Sequence, residues 1–197
     1  NKTIAILKHL VDELNPYVLW YDGGGAFDSS YTEEYAQMFY DAFLKYYPQV
    51  IVNDRLFADE RADYFTGENK YYRGTEKYAE GCFTANYCWG YSIDRDNAEN
   101  TISISSLINN YILDCVCRGQ NCLINIGPKG DGSLPQYCVE LLKKLGDFQQ
   151  KYGTIRDGGD AVYNGCQPNW GRCFRKGNIL KCYVQNGESS IKLDGIE

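Results

Sequence analysis

The sequence predicts an α/β fold in which buried strands alternate with amphipathic helices. Short apolar runs at 17–20, 50–53 and 122–126 lie between segments whose apolar residues recur at helical spacing, which is typical of parallel βαβ units. A set of polar residues follows the predicted strands: Asp22, Asp54, Arg55, Glu80 and Asn125. Because the carboxyl ends of parallel strands meet at one edge, the pattern indicates a β/α barrel or an open doubly wound sheet with its site there.

The first elements form one βαβ unit. Apolar residues at every third or fourth position predict a helix over residues 3–14. The wholly apolar run at 17–20 predicts a strand buried on both faces. Ser30 and Glu33 form a capping-box pattern that opens a second helix, and the strand at 50–53 completes the unit.

The rest of the chain continues the alternation and then changes character. Residues 56–77 are polar and rich in tyrosine, which predicts a long loop, and loops of that length are usually either functional or disordered. The later elements are predicted in this order: a strand at 78–84, a helix from 104 closed by Gly119, a strand at 122–126, a helix opened by Pro135, and antiparallel β structure around 179–184.

Composition indicates a globular protein and excludes some partners. The 197 residues are 44% hydrophobic and 23% charged, which argues against a disordered or fibrous chain. A net charge of −6 excludes a generally basic surface, so we expect no nucleic-acid partner. We also expect no membrane span, because no run approaches the roughly 18–20 consecutive apolar residues that a span needs.

Nine cysteines are a high number for a chain of this length. They group within 82–88, 115–122 and 166–182, apart from one in the last predicted helix, and none forms a Cys-x-x-Cys pair. Because His9 is the only histidine, we expect no zinc cluster. Buried thiols are the commoner role, yet the count also fits disulfides in an oxidising lumen. The glycosylation sequon at Asn1 favours the same compartment.

The chemistry that the residues favour is carboxylate chemistry beside aromatic rings. A carboxylate after a strand is most often a solvated loop charge, but Trp20 lies on the same side of its strand as Asp22, and the glycines at 23–25 permit close approach of a substrate. His9 lies on a helix away from the strand ends, so a Ser-His or Cys-His pair is not expected. The glycine-rich run at 127–132 lacks phosphate-loop spacing. Glycoside hydrolysis is the remaining reaction class.

Four motifs make that class specific. They are, in chain order, Leu19-Trp20-Tyr21-Asp22-Gly23, Val52-Asn53-Asp54-Arg55, Glu80-Gly81-Cys82-Phe83-Thr84 ahead of Trp89-Gly90-Tyr91, and Asn121 to Pro128 with Asp131-Gly132. Their order and spacing resemble the α-L-fucosidases of glycoside hydrolase family 29, over about residues 1–165. The resemblance implies the second half of a (β/α)8-type, TIM-like barrel over 1–157 and the start of an antiparallel β-sandwich over 158–197.

The resemblance implies a retaining mechanism with two carboxyl groups. Asp22 matches the family's nucleophile. The acid/base matches either Glu68 or Glu80, and we prefer Glu68, which a long loop could bring over the leaving group. Ala79 stands where the family pattern has a tryptophan before Glu80. A retaining pair is expected about 5–5.5 Å apart, with the pKa of the acid raised by its partner's charge.

The remaining implied residues bind the sugar. Arg55 matches a sugar-contacting residue and Trp20 a sugar-packing ring, while Trp89 and Tyr91 are expected in the pocket wall. For Tyr91 core packing is nearly as plausible, and Asn125 is expected to be structural. The resemblance implies a fucosylated glycan substrate, no cofactor, and a secreted or lysosomal protein.

The number of βα units predicts a partner for this chain. We count about four units, whereas a closed barrel needs eight. The missing strands are expected from the N-terminal half of the same protein or from another copy. A non-catalytic fucosidase-like carbohydrate-binding or structural protein is the alternative to an enzyme.

Overall fold

The computed structural model describes residues 2–22, 33–56, 61–72, 78–86, 88–94, 99–153, 169–185, 187 and 189–193. The chain divides into two compact units, the first comprising Asn1–Thr66 with Thr75–Tyr78 and the second Gly67–Gly74 with Ala79–Glu197. The predictions for the glycines at 23–25, the capping residue Ser30 and the thiol of Cys166 lie outside the described residues.

The first unit has the predicted order of elements. These are helix α1 (Lys2–Leu14), strand β1 (Val18–Leu19), helix α2 (Glu33–Ala42), a 3₁₀ turn (Leu44–Tyr46) and strand β2 (Ile51–Val52). Strands β1 and β2 are parallel, with Val18 opposite Ile51, which confirms the predicted βαβ unit. A buried cluster around Phe39, Phe43 and Val52 joins the helices to the strands.

The prediction that residues 17–20 are buried on both faces is wrong for the described part of this unit. Leu19 packs against the buried cluster, whereas Tyr17 and Val18 are 80% and 46% exposed. Successive side chains of a strand point to opposite faces, and among the described residues the apolar cluster covers only the face of Leu19.

The second unit holds most of the remaining elements. It begins with the end of strand β3 (Phe65–Glu68) and strand β4 (Ala79–Thr84). A continuous helical stretch follows, made of α3 (Ile104–Ser106), a π-helical segment (Leu107–Ile112) and α4 (Leu113–Val116). Strand β5 (Asn121–Asn125), helix α5 (Gln136–Tyr152) and strands β6 (Gly171–Lys176) and β7 (Ile179–Val184) complete the unit. The strand order is β3-β4-β5. Strands β4 and β5 are parallel, as predicted, with Gly81 opposite Cys122.

Strand β3 corrects the prediction of one long loop from 56 to 77. The Phe65 N–H donates to the Tyr78 carbonyl and the Asn69 N–H to the Cys82 carbonyl. The constant offset of 13 residues shows that β3 runs parallel to β4. A tyrosine-rich polar segment therefore forms an ordered strand, because its backbone pairs with a strand beyond the reach of local sequence patterns.

The core of the second unit lies between its two long helical stretches and the β6–β7 hairpin. Leu107, Leu113 and Leu141 contact the fully buried ring of Phe174, and Tyr183 packs against the same cluster. The hairpin therefore belongs to the core of this unit. No helix in the described part of the chain is both long and apolar enough to cross a bilayer.

Candidate active site

Two hydrogen bonds between the Asn53 side chain and the Tyr21 main chain fix the segment that carries Asp22 in the first unit. The amide of Asn53 donates to the Tyr21 carbonyl over 3.0 Å, and the Tyr21 N–H donates to the Asn53 Oδ1 over 3.1 Å. Asn53 is fully buried. Its side chain thus continues the pairing of β1 with β2 for two residues beyond Leu19, where the backbone pairing ends.

Asp22 forms an ion pair with Arg55. The Nη1 of Arg55 donates to Oδ1 of Asp22 over 2.9 Å; the guanidinium side chain is 6% exposed and the carboxylate side chain 72% exposed. The guanidinium also lies over the Trp20 ring, 4.6 Å from its centroid. A buried positive charge needs a nearby negative partner, and here that partner is a solvent-facing carboxylate whose orientation the guanidinium fixes.

Asp54 supports Arg55 through Thr66. Its Oδ1 accepts from the Thr66 N–H over 2.9 Å and from the Thr66 hydroxyl over 2.7 Å, and that hydroxyl oxygen accepts from Nε of Arg55 over 3.3 Å. Burial raises the pKa of the Asp54 carboxyl, while the hydrogen bonds from Thr66 act in the opposite direction. Asp54 therefore supports Arg55 from a half-buried position, whereas Asp22 is exposed. The sequence placed Asp54 and Arg55 at this edge without separating their roles.

Glu68 lies in the second unit as the exposed last residue of β3. The next residue, Asn69, has a positive φ of 53°, and its N–H is bonded to the Cys82 carbonyl over 2.7 Å. A Cβ on Gly67 would lie 2.5 Å from the Lys70 carbonyl oxygen, so the chain folds back on itself just after Glu68. The prediction of a loop at this position is wrong, because Glu68 is the last residue of strand β3. The role of Glu68 as the acid/base stays a prediction.

The segment after Glu68 is held by the turn that follows α4. The Gln120 amide donates to the Tyr72 carbonyl over 2.8 Å, and the Tyr72 N–H donates to the Gln120 Oε1 over 3.1 Å. The Arg118 guanidinium lies 3.6 Å from the centre of the Tyr71 ring. Two side-chain-to-backbone hydrogen bonds and one cation–π contact thus anchor the residues just beyond Glu68.

Glu80 is not beyond the carboxyl end of a strand, as the sequence pattern suggested. It is the half-buried second residue of β4, opposite Asn121 of β5, and four residues of β4 follow it. The pattern misled because Glu80 interrupts an apolar strand, and an isolated charge in such a run resembles a strand end.

The segment with Trp89 and Tyr91 is fastened to the carboxyl ends of β4 and β5. Asn125, the last residue of β5, donates from its amide to the Trp89 carbonyl over 2.7 Å, and the Thr84 hydroxyl donates to the Cys88 carbonyl over 2.7 Å. Trp89 and Tyr91 are 40% and 37% exposed, so neither is a core residue. The structural role expected of Asn125 agrees with these bonds, whereas no role was predicted for Thr84, which ends the Glu80–Thr84 part of the third motif.

Gly127 lies in the fourth motif, and the structure gives it a role that was not predicted. A Cβ there would lie 2.6 Å from the Tyr91 nitrogen and 2.7 Å from the Gly90 carbonyl carbon. Only glycine permits this close approach of two backbone segments. In the described ranges, no group of three His, Cys, Asp or Glu side chains is placed to hold a metal ion.

Comparison with known proteins gives one consistent family. The family model for alpha-L-fucosidase matches residues 1–154. Plasma alpha-L-fucosidase of Rattus norvegicus is 29% identical over 172 residues, which cover 82% of this chain and 35% of the rat protein. The chain therefore spans about a third of the length of that curated relative.

Solved structures agree with this match. An alpha-L-fucosidase from Vibrio sp. strain EJY3 has a TM-score of 0.74 at 30% identity, covering 91% of this chain and 33% of that one. Thermotoga maritima alpha-fucosidase in complex with a mechanism-based inhibitor has a TM-score of 0.71 at 29% identity, covering 90% of this chain and 40% of that one. These likenesses support an α/β fold of the kind that the sequence predicted.

Proposed function

The chain belongs to the α-L-fucosidase family, and from that premise we propose that the whole protein removes terminal α-L-fucose from glycoconjugates with retention of configuration. The observation that carries this proposal is the solvent-facing carboxylate of Asp22, held by buried Arg55 beside Trp20. Burial of a guanidinium is costly. A buried arginine that is spent on orienting one exposed carboxylate therefore favours a chemical role for that carboxylate.

Asp22 is the proposed nucleophile. Its carboxylate attacks the anomeric carbon of fucose as the bond to the leaving oxygen breaks, and a carboxylic acid protonates that oxygen. The product is a fucosyl ester on Asp22. The same acid, now a carboxylate, then takes a proton from water, which attacks the anomeric carbon and releases Asp22 and fucose.

Arg55 and Trp20 prepare this first step. The bond from Arg55 holds one oxygen of the Asp22 carboxylate, which orients the proposed nucleophile. The guanidinium packs over the indole of Trp20, which holds the ring in place beside Asp22 for contact with an apolar sugar face.

Glu68 is the acid/base that we prefer, with Glu80 as the alternative. Functional groups of parallel sheets collect at the carboxyl ends of strands, and Glu68 ends β3 while Glu80 lies near the start of β4. Glu68 is also exposed, whereas Glu80 is half-buried. Trp89 and Tyr91 are proposed as wall residues of the sugar pocket.

The proposed active protein contains more strands than this chain supplies. We propose that residues 1–157 are part of a (β/α)8-type barrel completed by an N-terminal half or a second copy, and that 158–197 begin a β-sandwich. A secreted or lysosomal location is proposed from the plasma and tissue enzymes among the relatives.

Trapping of the covalent intermediate tests the proposal. The whole protein is incubated with a 2-deoxy-2-fluoro-α-L-fucosyl fluoride, and peptide mass spectrometry locates the label. We expect a fucosyl ester on Asp22 and its loss in Asp22→Ala. Asp41→Ala, which removes an exposed carboxylate paired with Lys45, is the matched control and should label normally.

Two results would count against parts of this proposal. A label on another residue would overturn the assignment of Asp22. Absence of both label and turnover, with fucose still bound, would indicate the non-catalytic carbohydrate-binding alternative.

A further inference from the structure

Two cysteines of the β6–β7 hairpin lie directly opposite each other. Cys173 and Cys182 are register partners, and their Sγ atoms are 3.1 Å apart. The hairpin is closed by the pair Lys176 and Ile179 around a two-residue turn.

The register places these cysteines at a position that suits a disulfide. The Gln185 N–H donates to the Trp170 carbonyl, so Trp170 and Gln185 form a hydrogen-bonded pair. Hydrogen-bonded and non-hydrogen-bonded pairs alternate along an antiparallel ladder. Cys173 and Cys182 lie three pairs further along and therefore form a non-hydrogen-bonded pair. In such pairs the Cα atoms are about 4.5 Å apart, which lies within the range of roughly 4.4–6.8 Å that disulfides span. The sulfur atoms need only a small approach to bond.

We propose that Cys173 and Cys182 form a cross-strand disulfide that fastens the β6–β7 hairpin. A small disulfide such as oxidised glutathione is the oxidant. The thiolate of Cys182 attacks one of its sulfur atoms and releases one glutathione thiolate; the thiolate of Cys173 then attacks the Cys182 sulfur and releases the second. Two protein thiols are oxidised to one disulfide, two glutathione molecules leave reduced, and their sulfurs take up the two protons.

The surroundings favour this order of attack. Cys182 is half-buried and lines a cleft of about 500 Å³ together with Tyr152 and Lys181, so a peptide-sized disulfide has a route to its sulfur. Cys173 is 3% exposed, and burial raises the pKa of its thiol to about 12. The second step is intramolecular, and proximity compensates for the small thiolate fraction of Cys173.

The rest of the unit holds both strands in this register. The Arg172 guanidinium pairs with the Asp114 carboxylate of α4, and the Phe174 ring stacks on Tyr183 at 5.9 Å. A one-residue slip would separate these contacts as well as the two sulfurs. Cys117 is a third buried thiol near the pair, but strand register places Cys182 directly opposite Cys173, and the Sγ atoms of these two cysteines are 3.1 Å apart.

Disulfide mapping of the full protein from an oxidising secretory host tests the pairing. Exposed thiols are blocked with N-ethylmaleimide on denaturation, and the chain is digested by trypsin without reductant. Cleavage isolates Cys173 in peptide 173–175 and Cys182 in peptide 182–192. We expect these two peptides to be joined and to separate on reduction. Maleimide on both cysteines, or linkage of either to another cysteine such as Cys117, would overturn the proposal.

Thermal unfolding gives a second readout that is independent of fucosidase activity. Reduction should lower the Tm of the wild type by about 5 °C, because the closed loop restricts the unfolded chain. The double variant Cys173→Ala/Cys182→Ala should show no response to reductant, whereas Cys88→Ser, a half-exposed thiol of the same unit, should respond as the wild type does. A double variant that still responds would contradict the assignment.

Discussion

The two carboxylates proposed for catalysis are held in different ways. In the first unit, Asp22 depends on one charged side chain, the buried Arg55, which is itself supported by Thr66. In the second unit, Glu68 is positioned by its backbone, through the tight turn at Asn69 and the paired bonds between Tyr72 and Gln120.

The difference fits the two proposed roles. A nucleophile must be oriented toward the carbon that it attacks, and the bond from Arg55 fixes one oxygen of Asp22. An acid/base must be placed to reach the leaving oxygen, and the turn at Asn69 fixes the direction of the chain at Glu68. Among the contacts given above, charge orients Asp22 and backbone geometry positions the segment of Glu68, and each arrangement can be disturbed separately.

Removal of the proposed acid/base, Glu68, should cause the largest loss of kcat. Glu68→Gln should lower kcat on a substrate with a poor leaving group by about 10³-fold. The loss should be much smaller with an activated aryl leaving group, which departs without protonation, and azide should restore turnover in Glu68→Ala.

Glu80→Gln is the matched comparison for that prediction. It should retain the ratio between poor and good leaving groups that the wild type shows, and azide should not accelerate Glu80→Ala. The opposite pattern would make Glu80 the acid/base, and the backbone turn at Glu68 would then have no part in positioning a catalytic carboxyl group.

Loss of the cation beside Asp22 should have the next largest effect. Arg55→Lys should lower kcat by about 10²-fold, since an ammonium cannot form the planar contact with Trp20 and reach Asp22 and Thr66 together. Arg61→Lys, which alters an ion pair with exposed Glu33 in the same unit, is the control and should leave kcat unchanged. Equal losses in both variants would show that Arg55 acts only through stability.

The backbone support of Glu68 predicts a smaller effect. Gln120→Ala removes both bonds to Tyr72 and should lower kcat by about 3–10-fold with little change in KM. Gln136→Ala, which removes an exposed amide bonded to Glu140 on α5, is the matched control. The loss in Gln120→Ala should be confined to substrates with poor leaving groups, a dependence that general destabilisation would not produce.

The raised pKa of Asp54 predicts the smallest effect, a pH dependence of the free energy of unfolding. Because burial raises the pKa of its carboxyl in the folded state, the folded protein binds the proton more tightly than the unfolded chain does. The contribution of protonated Asp54 is fully present below its ordinary pKa of 3.8 and is lost as pH rises through the raised value.

Asp54→Asn removes this titration and tests its sign. The unfolding free energy of the variant relative to the wild type should increase between pH 3.5 and pH 7, measured from urea unfolding at several pH values. Asp41→Asn, at an exposed position, is the control and should show no such rise. A difference that falls with pH would contradict the predicted direction.

Local patterns in the sequence were sufficient for much of the fold and for the choice of Asp22 as a candidate site residue. The helix over 3–14 and the β segment around 179–184 follow from periods that neighbouring residues impose on each other, and both are present as α1 and β7. Trp20 and Asp22 are close in sequence, so their common position after β1 could be predicted without knowing any other part of the chain.

The tertiary structure decided which distant residues meet. The Arg55–Asp22 ion pair joins residues 33 apart, the Gln120–Tyr72 bonds join residues 48 apart, and the strand at 65–68 exists because β4 offers its backbone. The register of β6 and β7 likewise places Cys173 against Cys182. Local periodicity specifies which face of an element is apolar, but strand register specifies which side chains lie opposite each other, and register is fixed only when the elements pack.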